Sequence, residues 1–358
     1  MEIVVIGGGI AGMSVAARLS QEHRVVLLER ESQPGYHSSG RSAAVYIEPY
    51  INETIFRLTR DSKQHHLNDG AKPLKDYQVA TDELADNIDG YLTKWQDFCP
   101  EICEVEVSQL ARDVPVIRVE KIARVVFDPQ VLSIDTNGLL EGFRRAFLSA
   151  GGRVINNSEV LDLTRSNGTW TVNTRKQAYS ADIVVNAAGA WGDLVAQSGG
   201  IASLGLAPKR RSALLLNIGQ NVSDWPMVHS LDNTLYFKPE AGELMVSPAN
   251  QDPTPPCDAM PEELDIAIAM ARFEEMTHCE GCRPGNTWAG LRTFLPDLTP
   301  SIGFDDKADG FFWLVGQGGF GMQTAPAISQ LAADMINEKP HAAFPAVAPG
   351  RKYRKIEN

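Results

Sequence analysis

Apolar positions along this chain fall into runs of two kinds. The first is the unbroken stretch Ile3-Val4-Val5-Ile6, which suits a strand buried on both faces of a parallel sheet. Glycines follow, then a helix-like segment over residues 11–20, then a second apolar run over 24–28 that ends in Glu29. The second kind repeats at helical spacing, as in Leu139, Leu140, Phe143 and Phe147. A short strand over 153–155 is expected after Gly151-Gly152. Residues 160–163 and 170–174 flank Asn167-Gly168, two residues that tolerate positive φ, and this predicts a hairpin. Another buried strand is expected over 183–185, running into Asn186-Ala187-Ala188-Gly189.

From about 204 to 288 the pattern changes. Isolated strands are expected at 213–216, 235–237 and 244–246. Between them and a helix over 262–276 lies a loop with Pro253, Pro255 and Pro256. The last third returns to the pattern of the opening, with a strand over 311–315, then Gly316-Gln317-Gly318-Gly319-Phe320-Gly321, then a helix carrying Ile328, Leu331, Ala332, Met335 and Ile336 on one face. No internal repeat is evident. The predicted fold class is α/β (α+β). A Rossmann-like nucleotide-binding domain is assembled from segments 1–76, 130–203 and 293–358. A sheet-rich second domain, expected to bind substrate, comes from 77–129 and 204–292. A length of 358 residues suits two cores rather than one.

Composition removes several function classes. The net charge is −12, from 45 acidic and 33 basic residues, so a nucleic-acid partner is not expected. The basic cluster Arg351, Lys352, Arg354 and Lys355 reads as a solvated tail. No run of about 18 apolar residues occurs, so no transmembrane segment is expected. With five cysteines and no leader-like opening, the expected compartment is the cytoplasm. Cys279 and Cys282, after His278, lack the second pair that a zinc site needs, and no metal is expected. His65-His66 lies in a polar stretch and is expected at the surface.

The strongest chemical signal is Gly7-x-Gly9-x-x-Gly12 between strand and helix, with Ile10 and Ala11 opening the helix. The first glycine permits the tight turn and the second lets backbone approach a pyrophosphate. The third lets helix and strand pack closely, while the helix N-terminus favours phosphate charge. Glu29, followed by Arg30, stands where a carboxylate accepts hydrogen bonds from ribose hydroxyls and repels a 2′-phosphate. A loop rich in small residues and hydroxyls, Ser38, Ser39, Gly40, Arg41, Ser42, Ala43 and Ala44, comes next. NAD needs no such loop, whereas the long ribityl–pyrophosphate arm of FAD does.

These motifs, together with Gly35-Tyr36-His37, Asn186-Ala187-Ala188-Gly189-Ala190-Trp191 and Gly318-Gly319-Phe320-Gly321, resemble the D-amino acid oxidase family of flavoproteins. Within it, Lys209-Arg210-Arg211-Ser212-Ala213, Trp288-Ala289-Gly290-Leu291-Arg292 and 317–321 resemble the bacterial D-arginine dehydrogenase branch. The resemblance spans nearly the whole chain and is weakest over 63–124 and after 339. It implies non-covalent FAD, because no cysteine stands where covalent relatives attach the ring. It implies contacts from Val160, Ala187, Gly189 and Trp191. It also places Gly316, Gly318, Gly319, Phe320, Gly321, Met322, Gln323 and Thr324 near the flavin's polar edge, where a helix N-terminus stabilises negative charge.

Three residues match the family's carboxylate-binding positions: Arg211, Arg292 and Tyr236, with Arg210 a rival to Arg211. Two guanidinium groups and a hydroxyl suit a planar carboxylate, and a carboxylate so held presents its Cα hydrogen for transfer to flavin N5. Gly319 matches the carbonyl that holds the substrate amine, and Tyr50 a tyrosine lining the pocket. The chain departs from the arginine branch at Val45, Ile47 and Tyr77 or Gln78, where that branch has polar groups. Asp76 and Glu48 are the nearest acids able to restore a charge partner. The expected reaction is oxidative deamination of a D-amino acid with a neutral or apolar side chain, giving an imine and then a 2-oxo acid and ammonia. The alternatives are a 2-hydroxy acid or N-methyl amino acid as substrate, or a non-catalytic flavin-binding subunit. The expected electron acceptor is a quinone or other carrier rather than oxygen; the oligomeric state is not legible.

Overall fold

Strands with apolar side chains on both faces need cover on both sides, and the first sheet has it. In the computed structural model, which describes residues 1–340 and 343–353, six strands lie in the order Ser301–Phe304, Phe311–Val315, Ile183–Asn186, Glu2–Ile6, Arg24–Leu28, Arg153–Ile155. All neighbours are parallel except the first pair. On one face pack helices Ile10–Leu19, Thr136–Ser149 and Gly321–Ile336, with Leu139, Phe143, Phe147 and Ile328 in the shared core. On the other lie the antiparallel meander Val160–Ser166, Thr169–Thr174, Ala178–Ala181 and helix Gly192–Ser198. The hairpin turn sits at Asn167 and Gly168, both with positive φ.

The second sheet has nine strands. Its central path runs Ala207–Leu216, Glu243–Ser247, Tyr236–Glu240, Met227–Ser230, Asp76–Ala80, Arg124–Asp128, Cys103–Val105. Strand Pro284–Phe294 pairs along the outer edge of Ala207–Leu216, and the short Asp252–Pro253 joins the same strand. One face is closed by a core of Tyr77, Val79, Leu214, Val228, Phe237 and Phe273, under helices Val107–Asp113 and Glu263–Met276. The other face turns toward the first sheet. The strand expected at 213–216 begins six residues earlier, at Ala207, because its polar half gains ladder bonds from 284–294.

Helices Glu53–Asn68, Asn87–Trp95, Val107–Asp113 and Gly192–Ser198 were not expected; the first bears on the site. It packs on Gly321–Ile336, whose interior Pro326 interrupts the backbone ladder. The neighbouring helix supplies the missing partners. Ala327 N donates to Ser62 Oγ at 3.1 Å, and His66 Nε2 reaches the Gln323 carbonyl at 2.8 Å. His66 is therefore buried, not at the surface. Burial holds its pKa below the ordinary imidazole range, and the neutral ring donates to the carbonyl.

No helix among the described residues is long and apolar enough to cross a membrane. Of the basic cluster near the C-terminus, Arg351 is tied to Asp297 (2.8 Å), and Arg354 and Lys355 lie outside the described residues.

Candidate active site

The carboxyl ends of the first sheet's parallel strands converge on one cavity of about 340 Å³. It begins at the glycine turn. A Cβ on Gly7 would stand 2.5 Å from the Ala187 carbonyl oxygen, and one on Gly12 would stand 1.9 Å from that of Gly7. Strand end and helix start can meet this closely only without side chains. Gly9 is the N-cap of helix Ile10–Leu19 and offers no side-chain cap. Its first turn therefore faces the cavity with unpaired N–H groups, apart from Ile10, whose N–H donates to Ser39 Oγ at 2.9 Å.

Glu29 is buried and accepts from Gly8 N at 2.7 Å and Glu31 N at 2.8 Å. A carboxylate has about four acceptor positions, so two N–H bonds leave capacity for hydroxyls in the cavity. Around it stand Arg30, whose guanidinium lies 4.7 Å from the Trp191 ring, and Val160 and Gly189. Together the close-packed glycines and this buried acid fit an adenosine-ended dinucleotide.

Loop 38–44 connects this cradle to the second sheet. Ser38 Oγ donates to the Leu291 carbonyl at 2.7 Å. Arg41 lines the cavity, yet its guanidinium bonds outward, to Asp258 (2.5 Å) and to the carbonyls of Ala259 and Ala289. Ser39, Ser42 and Ala43 also line the cavity; Gly40 and Ala44 shape the loop behind it, Gly40 pressed onto the Gly35 carbonyl and Ala44 at a φ of 55°.

The far end of the cavity is built by the long antiparallel pair Ala207–Leu216 and Pro284–Phe294. Arg211 stands opposite Gly290 and Lys209 opposite Arg292, so alternation aims Arg211 and Arg292 to the same face. Arg210 points the other way and is held by Asp265 at 3.0 Å and by Glu262. Tyr236, from a neighbouring strand, is buried with its ring 5.9 Å from the Arg211 guanidinium. Arg292 Nη1 donates to the Tyr50 hydroxyl at 3.4 Å, and Tyr50 packs edge-on to Phe320.

Electrostatics favour an anion here. Burial, then the neighbouring Arg292, draw the Arg211 guanidinium down to about 10. Burial alone would raise Tyr236, but Arg292 and Arg211 outweigh it and leave the phenol more acidic than usual. Among the described lining residues the carboxylates are Glu29 and Glu159, both at the dinucleotide end.

The two ends meet at 317–319. Gly318 N donates to the Thr293 carbonyl at 2.9 Å, so the turn is docked on the strand that carries Arg292. A Cβ on Gly319 would fall within 2.7–2.9 Å of three Arg292 guanidinium atoms. Gly318, Gly319, Gly321 and Met322 line the cavity. Gly316, Phe320, Gln323 and Thr324 stand behind that wall. The Gln323 amide is bonded to both backbone groups of Ile47 and to Thr59, and the Thr324 hydroxyl to the Phe320 carbonyl.

Sequence reasoning missed Met245, which lines the cavity with Ala43, Ala213 and Trp288. Alternation along 243–247 was the available signal. Val45 and Ile47 pack into the same apolar cluster. Tyr77 lies on the opposite sheet face with its hydroxyl on Asp113 at 2.8 Å. Asp76 is paired with His229 (3.0 Å), and Glu48 with Lys63 (2.9 Å) and Tyr46 (2.8 Å), so neither acid serves the cavity. All five cysteines are free, and no group of three or more metal-ligating side chains is gathered among the described residues.

A family model described as FAD dependent oxidoreductase matches residues 2–335. The glycine oxidase of Geobacillus kaustophilus (strain HTA426) is 19% identical over 361 residues, spanning 94% of this chain and 93% of its own. Its crystal structure superposes with a TM-score of 0.88 at 20% identity over 98% of both chains. The L-proline dehydrogenase from P. horikoshii gives a TM-score of 0.87 at 21% identity, over 97% of this chain and 96% of the other. The mitochondrial dimethylglycine dehydrogenase of Rattus norvegicus is 22% identical over 94% of this chain, which spans only 43% of that protein. At these identities the likeness establishes the fold.

Proposed function

Because the chain belongs to the family of FAD-dependent oxidoreductases, we propose that it oxidises a small amino acid held by its carboxylate, preferably a D-amino acid with a neutral or apolar side chain. The observation that carries this reading is the Arg211–Arg292–Tyr236 set, which shares one cavity with the dinucleotide cradle and has no acid beside it among the described residues. Bound FAD supplies the acceptor for the hydride that leaves the substrate Cα.

The residues do the positioning. Arg292 and Arg211 take the two carboxylate oxygens by charge-assisted bonds, and Tyr236 adds a third donor. The carboxylate is thereby fixed at the sheet end of the cavity, and the Gly319 carbonyl is the group we assign to the amine. Among the described residues lining this end none is a carboxylate or imidazole able to act as general base, so the amine enters neutral or gives its proton to water. The imine then adds water and releases ammonia, leaving a 2-oxo acid. The side chain is left to Ala43, Ala213, Met245 and Trp288, which offer no charge partner. A guanidinium buried there unpaired would cost several kcal/mol.

An anaerobic substrate panel tests this reading. Apolar D-amino acids are expected to bleach the bound flavin, with kcat/KM at least ~100-fold above D-Arg and D-Lys. A preference for basic side chains, or bleaching by 2-hydroxy acids alone, would overturn it. The dimethylglycine relative favours a second reading, an N-substituted amino acid, for which methylamine or formaldehyde would replace ammonia among the products. A carrier such as a quinone is the acceptor we infer; stoichiometric hydrogen peroxide under air would reject it. The free cysteines suit a reducing compartment such as the cytoplasm.

Glu29 gives a test of the cradle alone. Glu29→Ala removes a buried charged acceptor, so FAD affinity is expected to fall roughly 10- to 100-fold. Loss of FAD on dilution, followed by fluorescence, reads this directly.

A further inference from the structure

The register of the second sheet orders the cavity wall outward from the carboxylate clamp. Arg292 stands opposite Lys209, Gly290 opposite Arg211, and Trp288 opposite Ala213. Alternation carries the same face on to Leu215, which stands opposite Met245, and Met245 in turn stands opposite Lys238. Each two-residue step along a strand is about 6.7 Å. Arg211, Gly290, Ala213, Trp288 and Met245 line the cavity, whereas Leu215 and Lys238, in the row of Met245, do not. Among the described residues this wall therefore ends at the Met245 side chain, two steps beyond Arg211.

We propose that Met245 is the specificity-determining residue of this site: it closes the side-chain end and restricts the substrate to a short aliphatic D-amino acid. The inference rests on the carboxylate-clamp reading given above and says which apolar side chain that clamp admits. Of the four residues left to the side chain, Ala43 and Ala213 have no reach. The Trp288 indole is a fixed wall, its Nε1 donating to the Arg41 carbonyl at 3.3 Å. Met245 has a long side chain with three rotatable bonds. It is 1% exposed and packs into the apolar cluster that holds Ile47, Val131 and Met227. A substrate side chain reaching past the Ala213–Trp288 row would have to push Met245 into that cluster, and a packed interior resists added methylenes.

Beside Met245, Lys238 is buried, with its ammonium bonded to Glu240 and, at 3.3 Å, to the Pro239 carbonyl, so its charge is already paired. Truncating Met245 therefore extends the apolar end rather than adding an ionic site. An apolar cavity made by truncation stays dry and takes up an aromatic ring. The consequence is a change of order among substrates, with the carboxylate still on Arg211 and Arg292.

The test follows anaerobic bleaching of the FAD-loaded enzyme by D-alanine and by D-phenylalanine, read as second-order rate constants at low substrate. In the wild type D-alanine is expected to be favoured roughly tenfold or more. In Met245→Ala the constant for D-phenylalanine is expected to rise roughly tenfold or more, while that for D-alanine changes less than about threefold. Met245→Val removes less volume, is expected to move the ratio the same way by a smaller factor, and stands as the second variant should Met245→Ala fold poorly. Met245→Leu conserves volume and is expected to keep the wild-type order. A merely structural role would slow both substrates together and leave their ratio intact. A wild type that prefers D-phenylalanine, a ratio unchanged in both Met245→Ala and Met245→Val, or the same reversal in Met245→Leu overturns the inference alone. No bleaching of the wild type by either D-amino acid overturns the reading of the clamp as an amino-acid site, and the inference with it.

Discussion

Replacing Arg292 by methionine is expected to lower kcat/KM by two to three orders of magnitude, most of it in KM. The guanidinium sits flat beneath Gly319, with one hydrogen bond to the Tyr50 hydroxyl and no acid partner among the described residues. Its charge is thus available to a ligand. Truncating one member of a buried, hydrogen-bonded charge pair costs roughly 2–5 kcal/mol, which is a factor of about 30 to several thousand. Arg211 remains in the variant and retains a weak carboxylate site, so the loss is not total. Arg292→Lys keeps the charge but not the planar fork and should recover only part of it. Folding should not suffer, because methionine removes a desolvated cation that burial disfavours. Steady-state kinetics with a D-amino acid, beside a thermal melt, separates these outcomes; a loss under tenfold would place the carboxylate elsewhere.

Gly12→Ala is expected to yield protein with little or no bound FAD. The added Cβ would stand 1.9 Å from the Gly7 carbonyl oxygen and 3.3 Å from the Ala187 side chain. Neither neighbour is a flexible side-chain end. Gly7 is itself held by a bond from its N–H to the Leu28 carbonyl at 2.9 Å. Relief therefore requires the helix to move off the sheet, which separates the turn from the phosphate position. Overpacking of this kind costs about 1–3 kcal/mol or more, so the melting temperature should fall by several degrees as well. The ratio of flavin to protein absorbance after gel filtration measures the first effect. Gly142→Ala is the matched control. It lies inside helix Thr136–Ser149 with nothing within 4 Å of its Cβ, and should keep full FAD content with a gain of about 0.5–1 kcal/mol.

The legible parts of the fold were those where burial on two faces, or a turn with one allowed geometry, left a single reading. Strand 24–28 has the observed bounds, and the strand expected at 3–6 differs by one residue. Asn167-Gly168 makes its turn because both residues adopt positive φ. The second sheet was harder. Its longest pair, Ala207–Leu216 with Pro284–Phe294, reads as polar through Lys209-Arg210-Arg211 and 284–287. Those segments are strands through their mutual ladder, and no local pattern announces a partner so far away in the sequence. For the same reason Asp76–Ala80 and Arg124–Asp128 went unforeseen, and with them the pairing of His229 and Asp76. Within the cavity, motif residues such as Gly7, Glu29 and Ser39 were visible through fixed spacing. Met245 was not, because it arrives from the second sheet; nor was Asp258, which holds Arg41 from outside the cavity.

The docking of Gly318 onto Thr293 ties the two ends of the cavity into one thermodynamic unit. Whatever orders the 317–321 turn also orders the strand carrying Arg292, and the reverse holds. Linkage then requires reciprocity: FAD must tighten the hold on a carboxylate by the same factor that a carboxylate tightens the hold on FAD. A carboxylate in the storage buffer is accordingly expected to slow loss of the cofactor, and protein stripped of FAD to bind the carboxylate of the proposed substrate poorly.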